Sequence, residues 1–223
     1  MKIRLCFIVN NLLVRLKFLK TEFLWKRVLS YSILAGCMIG LAGVVNLSVD
    51  NKFLGAFLFS FGLITILAQG LFLYTGKIGT INLSTNERFL LPVIILGNFI
   101  GTNIIAWGVR FTRSGDVLNQ NAQVIVQNKL ADSWFSILLL SIGCGIMMYL
   151  AVKGWVENSD SWLIVILPVM IFILSGFEHS IANMFYFAMA GEYSLKALGY
   201  IFIMLIGNAI GSLAFKQLKS VNK

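Results

Sequence analysis

Ser175-Gly176-Phe177-Glu178-His179-Ser180-Ile181-Ala182-Asn183-Met184-Phe185 places the chain's only histidine beside a carboxylate, with an asparagine four residues on and apolar sequence on both sides. An ionisable group in the middle of a bilayer span costs about 2.5–3.5 kcal/mol on insertion scales, so two adjacent ones are tolerable only against a cavity inside the protein. His179 and Asn183 stand at i and i+4 and share one helix face. Glu178 points about 100° away and is expected to satisfy backbone donors freed where Ser175-Gly176 interrupts the helix. Taken alone, the stretch fits a hydrogen-bonded core histidine bracing that interruption equally well.

A second interrupted span favours a functional site. Ala68-Gln69-Gly70-Leu71-Phe72-Leu73-Tyr74-Thr75-Gly76-Lys77 sets glycines and a hydroxyl inside another apolar run, and glycine lets the backbone close a loop there. The break is expected near Thr75-Gly76-Lys77. Thr75 is a hydrogen-bonding group for the site, a cap for the half-helix that follows, or both. LGNFIG (Leu96–Gly101) and IGNAIG (Ile206–Gly211) share a GNxIG core, 110 positions apart and close to half the chain. Ser141 to Gly145 loosely echoes the small residues from Gly36 to Gly43. Three spans per half is an odd number, so the halves are expected to be inverted relative to each other. Interrupted helices at matching places in inverted repeats point to a permeation site near the bilayer midplane. The glycines fit close helix packing, but Asn98 and Asn208 must also find hydrogen-bond partners if buried.

The composition agrees. The 223 residues are 58% hydrophobic and 12% charged, with mean hydropathy +0.86, against about 45–50% and about 25% for a soluble domain. A soluble domain, a disordered chain and a fibrous repeat are excluded, and the apolar stock suffices for roughly six spans of about 20 residues. They are expected at Leu29–Leu47, Phe53–Ile81, Phe89–Phe111, Trp134–Val152, Trp162–Ala190 and Leu195–Phe215, with a polar loop from Thr112 to Asp132. The fold class is therefore an all-α membrane protein: six transmembrane helices in two inverted three-helix repeats (29–111 and 133–215), with the second and fifth spans broken. The net charge of +9 reads as cytoplasmic flanks rather than nucleic-acid binding. An even span count puts Lys2, Arg4, Arg15, Lys17, Lys20, Lys26, Arg27, Lys77, Arg88, Lys153, Lys216, Lys219 and Lys223 on the side of the termini. Only Lys52, Arg110, Arg113, Lys129 and Lys196 fall opposite. Both termini are thus expected in the cytoplasm.

Residues 1–28 carry bases throughout with a single acid, Glu22, and no small-residue cleavage site follows. They are expected to form a basic interfacial helix rather than a secretory signal. The transport domain is then 29–216 and the basic tail 217–223. Cys6, Cys37 and Cys144 lie far apart in apolar contexts and read as small hydrophobes.

On these residues the chain resembles the formate/nitrite transporter family. GFEHSIANMF (Gly176–Phe185) is the most specific match, with TGK at Thr75–Lys77 and the two GNxIG segments in support, and the resemblance covers nearly the whole chain from about residue 29. It implies an aquaporin-like fold assembled as a homopentamer in a bacterial-type plasma (inner) membrane, with one pore per protomer. Carried over by motif, it implies His179, Thr75, Asn208 and Lys129 as pore residues. It implies Phe59, Leu63, Tyr74 and Phe172 as apolar constrictions. Glu178 and Asn183, from the polar cluster itself, are expected to support the pore residues from behind. Two positions depart from the family pattern: Phe72 stands where an acid is frequent, and Gly145 where asparagine is frequent.

The function so implied is a channel or transporter for small monovalent anions of weak acids, formate first and nitrite or hydrosulfide close behind, with no enzyme activity, cofactor, metal or nucleic-acid partner. Born desolvation of a bare carboxylate is of order 20 kcal/mol, and the neutral acid avoids most of it. The anion therefore crosses either as such or after protonation near His179, whose imidazole titrates near neutrality. Lys129 attracts anions to the mouth or merely anchors a helix end by snorkelling. An aquaporin-like channel for neutral solutes is the same-shape alternative, but Pro92 and Pro168 do not follow asparagine, as paired Asn-Pro-Ala turns require. A non-transport membrane subunit holding bis-histidine haem would need a second histidine. Glu178-His179-Ser180 are consecutive, so their side chains diverge on a helix and make a poor hydrolase triad.

Overall fold

The computed structural model describes residues 2–82, 85–158 and 161–221, with side chains from residue 24 onward except those of 86 and 221. The side chains of Lys2, Arg4, Cys6, Arg15, Lys17, Lys20 and Glu22, and all of Lys223, lie outside the described residues. Nine helices, and no strand, are found among the described residues: α1 (Lys2–Ser48), α2 (Lys52–Ala68), α3 (Tyr74–Thr80), α4 (Leu91–Arg110), α5 (Gly115–Ala131), α6 (Trp134–Glu157), α7 (Leu163–Leu174), α8 (Ser180–Ala190) and α9 (Leu195–Val221). A 3₁₀ turn, Asn86–Leu90, leads into α4. Among the described residues, four stretches are long and apolar enough to cross a bilayer: Leu24–Ser48, Glu87–Arg110, Trp134–Glu157 and Leu195–Ser220. The helix α1 runs through residue 28 without a break, and α9 likewise runs through residue 217.

The two interrupted segments resolve into helix pairs. The helix α2 starts at Asn51, whose side chain accepts from the Phe53 and Leu54 N–H groups, both at 3.0 Å. It ends at Gln69, and Gly70 turns the chain with φ +62°. The helix α7 ends at Ser175, and Gly176 turns it with φ +69°. Only glycine adopts this left-handed geometry without a Cβ penalty. The first break therefore lies at residues 69–73, a few residues before the expected place, and Thr75 falls inside the first turn of α3.

The segment from Thr112 to Asp132, expected to be a loop, is mostly helix α5. Its buried Leu118, Ala122 and Val126 recur every four residues, a one-sided stripe among residues otherwise polar enough to read as a loop.

The helix α1 packs along α4, and α6 along α9. In each pair glycine permits backbone contact that a Cβ would forbid. A Cβ on Gly36 would strike the Asn98 carbonyl, and one on Gly145 would strike the Asn208 carbonyl. Gly145 thus stands where asparagine would force α6 and α9 apart. The largest fully buried side chains include Phe59, Leu63, Phe185 and Phe187, so the broken helices α2 and α8 lie at the centre.

Candidate functional site

Each short helix after a break begins with backbone N–H groups that have no partner of their own. Asn98 and Asn208 serve them in the same way. Asn98 Oδ1 accepts from the Tyr74 N–H at 2.9 Å while its Nδ2 donates to the Ser32 and Phe72 carbonyls at 2.8 and 2.9 Å. Asn208 Oδ1 accepts from the Ser180 N–H at 2.9 Å while its Nδ2 donates to the Ser141 and Glu178 carbonyls, both at 2.8 Å. Both side chains are fully buried. Asn208, expected among the pore residues, therefore spends its amide on backbone and braces the break. The sequence signalled this through the repeated GNxIG, which marks both braces.

His179 is the N-cap of α8, and its Nδ1 accepts from the Ala182 N–H at 3.0 Å. An acceptor nitrogen carries no proton, so the neutral ring holds its proton on Nε2. Nε2 lies 2.9 Å from Thr75 Oγ1, across both breaks and fully enclosed. With Nε2–H donating to Oγ1, the hydroxyl keeps its own proton for another acceptor. Thr75 does not cap α3: the N-cap is Leu73, with no side-chain bond.

The apolar residues sit on either side of this pair. The Phe172 ring stacks on the His179 imidazole at 5.5 Å between centroids and meets Phe59 edge-on at 6.1 Å. Phe59, Phe172 and His179 wall a cavity of about 140 Å³ that reaches Lys129, Asn183 and Tyr186. Leu63, one turn beyond Phe59 on α2, walls a separate cavity of about 510 Å³ together with Leu73, Gly76 and Lys77. The two cavities share no lining residue. Tyr74 lines neither: its hydroxyl donates to the Leu205 carbonyl at 3.0 Å, which ties α3 to α9.

Glu178 does not serve freed backbone donors. Its carboxylate accepts from Lys129 Nζ at 2.6 and 2.7 Å and from Asn183 Nδ2 at 2.7 Å. Asn183 Nδ2 also donates to the His179 carbonyl at 3.0 Å. The ion pair is lopsided in exposure, with the Lys129 side chain at 17% and that of Glu178 at 5%. Lys129 is therefore the more exposed partner. Sequence spacing alone did not join Lys129 to Glu178, because the residues are 49 apart and α5 was expected to be loop.

Comparison with known proteins follows the same lines. A family model described as "Formate/nitrite transporter" matches residues 11–220. The "Formate channel FocA" of Haemophilus influenzae is 33% identical over 153 residues, which is 60% of this chain and 52% of that one, so the chain spans about half the length of that relative. The "Formate channel BtFdhC" of Bacillus thuringiensis is 27% identical over 212 residues, 82% of this chain and 81% of the other. Among solved structures, a "Pentameric formate channel with formate bound" superposes with a TM-score of 0.78 at 26% identity, covering 89% of this chain and 97% of that one.

Proposed function

Because the chain belongs to the formate/nitrite transporter family, we propose that it forms a bilayer pore for small monovalent anions of weak acids, formate first, with nitrite or hydrosulfide next. The pore has six spans: α1, α4, α6 and α9 cross whole, while the pairs α2–α3 and α7–α8 each cross as a broken helix. The halves are inverted repeats, a reading supported by the matched roles of Asn98 and Asn208 and by the paired glycines. The contact of Lys216 with the Ile81 carbonyl at 3.2 Å and that of Arg27 with Tyr31 at 5.2 Å lie at the end of the molecule that holds the larger cavity. This supports both termini lying on that side, the cytoplasm of a bacterial-type inner membrane. The protein assembles as a homopentamer, as does the solved relative, with one pore in each protomer.

The observation that carries the proposal is the 2.9 Å contact between Thr75 and His179. It joins the first turns of two half-helices between two cavities walled by apolar rings. Lys129, the more exposed partner of its ion pair and a lining residue of the smaller cavity, draws an anion into it. Phe59, Phe172 and Leu63 exclude water, hydrated ions and dianions. Thr75 then offers the anion its hydroxyl proton, in a geometry fixed by the neutral imidazole behind it. The imidazole accepts a further proton only at Nδ1, which would displace the Ala182 cap. The ring therefore contributes orientation, and no full charge compensates the anion at the narrowest point. A weak-acid anion that takes up a proton at the site crosses at far lower desolvation cost.

The test is uptake of labelled formate into proteoliposomes, with nitrite and hydrosulfide as competitors, with and without a proton gradient. Thr75→Val and His179→Phe each remove a hydrogen bond whose loss costs about 1–3 kcal/mol, so flux falls by about fivefold to 150-fold. Unchanged flux and pH dependence in His179→Phe would refute the assigned role.

A further inference from the structure

The larger cavity, on the Leu63 side, contains a feature that this transport reading leaves unused. It holds about 510 Å³, and most of its wall is aliphatic or aromatic, including Leu63, Leu73, Val152 and Trp155. Among the described residues, the one ionisable group on that wall is Lys77, in the last turn of α3 and two residues from Thr75. Its Nζ lies 4.5 Å from the centre of the Phe72 ring. Among the described residues it has neither a carboxylate within ion-pair distance nor a carbonyl partner capping α3.

These facts distinguish Lys77 from Lys129. Glu178 holds Lys129 by neutralising it. An aromatic face holds an ammonium through its quadrupole and leaves the unit charge intact. Phe72 is itself fixed: its N–H donates to the Tyr31 carbonyl at 3.4 Å, its carbonyl accepts from Asn98, and its ring packs on Tyr31 at 5.6 Å. The ammonium is thus positioned on a rigid ring beside an apolar chamber next to the Thr75 turn, with the Glu87 carboxylate acting on it only from beyond ion-pair distance. Low-polarity walls strengthen the field of a single charge in such a chamber.

We propose that Lys77, seated on the Phe72 ring, is the anion-holding cation of the larger cavity and sets the apparent affinity for small monovalent anions arriving from that side. The proposal rests on the transport reading above and adds a second station to it. The two mouths then differ in kind: the Lys129 mouth presents one end of a direct ion pair, and the Lys77 mouth an ammonium held on a ring with the Glu87 carboxylate beyond ion-pair distance.

The experiment measures formate flux in right-side-out and inside-out membrane vesicles containing the unaltered protein or a variant. Lys77→Met is expected to raise the half-saturating formate concentration about tenfold, equivalent to about 1.4 kcal/mol, in the vesicles that present the Lys77 face. It should leave the other orientation within about twofold, on the same scale. Lys77→Arg keeps charge and ring contact and restores the unaltered value. Phe72→Glu leaves the lysine in place but gives it a neutralising partner, and is expected to shift the constant in the same direction as Lys77→Met. Saturable flux that Lys77→Met leaves unchanged from both sides overturns this proposal and leaves the transport reading standing. Equal shifts from both sides also overturn it, since they report a general defect. Absence of formate flux in the unaltered protein removes the transport reading and this proposal with it.

Discussion

Replacing Asn208 with leucine separates a brace from a pore-lining residue. The side chain is fully buried and makes three hydrogen bonds, all to backbone. Not all three losses count equally. The Ser141 carbonyl lies inside α6, where the helix supplies its own donor. The Ser180 N–H opens α8 and has no helical acceptor. The Glu178 carbonyl precedes α8, and the N–H four residues on, that of Ala182, is taken by His179 Nδ1. Two backbone groups are therefore orphaned, at about 1–3 kcal/mol each. A membrane reference state in which unfolded segments find other partners trims that total, leaving about 2–4 kcal/mol. For a chain of this size each kcal/mol moves the midpoint by about 2–4 °C, so a drop of about 4–16 °C is expected. The assay is thermal unfolding of detergent-solubilised protein, followed by circular dichroism and by loss of the monodisperse size-exclusion peak. Asn208→Asp should be at least as damaging, since a carboxylate can accept from Ser180 but faces two carbonyls it cannot donate to. A leucine variant with unaltered melting and altered anion selectivity would refute the reasoning and return Asn208 to the pore wall.

Three further outcomes are expected. His179→Asn retains an N-cap oxygen for Ala182 and so melts within about 1 kcal/mol of the unaltered protein. It loses the reach to Thr75, so formate flux falls in proteoliposomes as it does for His179→Phe; full flux in the asparagine variant would contradict the imidazole–hydroxyl pairing. Lys129→Met leaves the Glu178 carboxylate buried without its cation and should destabilise by about 3–5 kcal/mol, and adding Glu178→Gln should recover most of that in the same melting assay. Gly145→Ala drives a methyl into the Asn208 carbonyl and should cost about 1–3 kcal/mol. Gly70→Ala has free space around it and only φ +62° against it, at about 1–2 kcal/mol, so its deficit should be no larger.

Much of this protein follows from linear pattern. Apolar runs, interrupted twice by glycine and polar groups, fix the class as a helical membrane protein, because lipid leaves an unpaired backbone no alternative partner. The repeated GNxIG marked both asparagines before any contact was known. His179 stood out, beside Glu178, because ionisable side chains in an apolar run need a reason to be there. What pattern did not determine is how each polar group is satisfied. Local spacing assigned Glu178 to freed backbone and the family resemblance assigned Asn208 to the pore, but the partners that decide both lie 49 and 28 residues away in sequence. The helix α5 was misread for a related reason. Three small or aliphatic residues on one face become a stripe only when a neighbour covers them. Lys77 and Lys129 are the same residue type on comparable flanks, and only the fold sets one over a ring and the other on a carboxylate. Backbone propensity and hydropathy are carried by residues near in sequence. Charge compensation and hydrogen-bond satisfaction depend on what is near in space, and that only the tertiary structure decided.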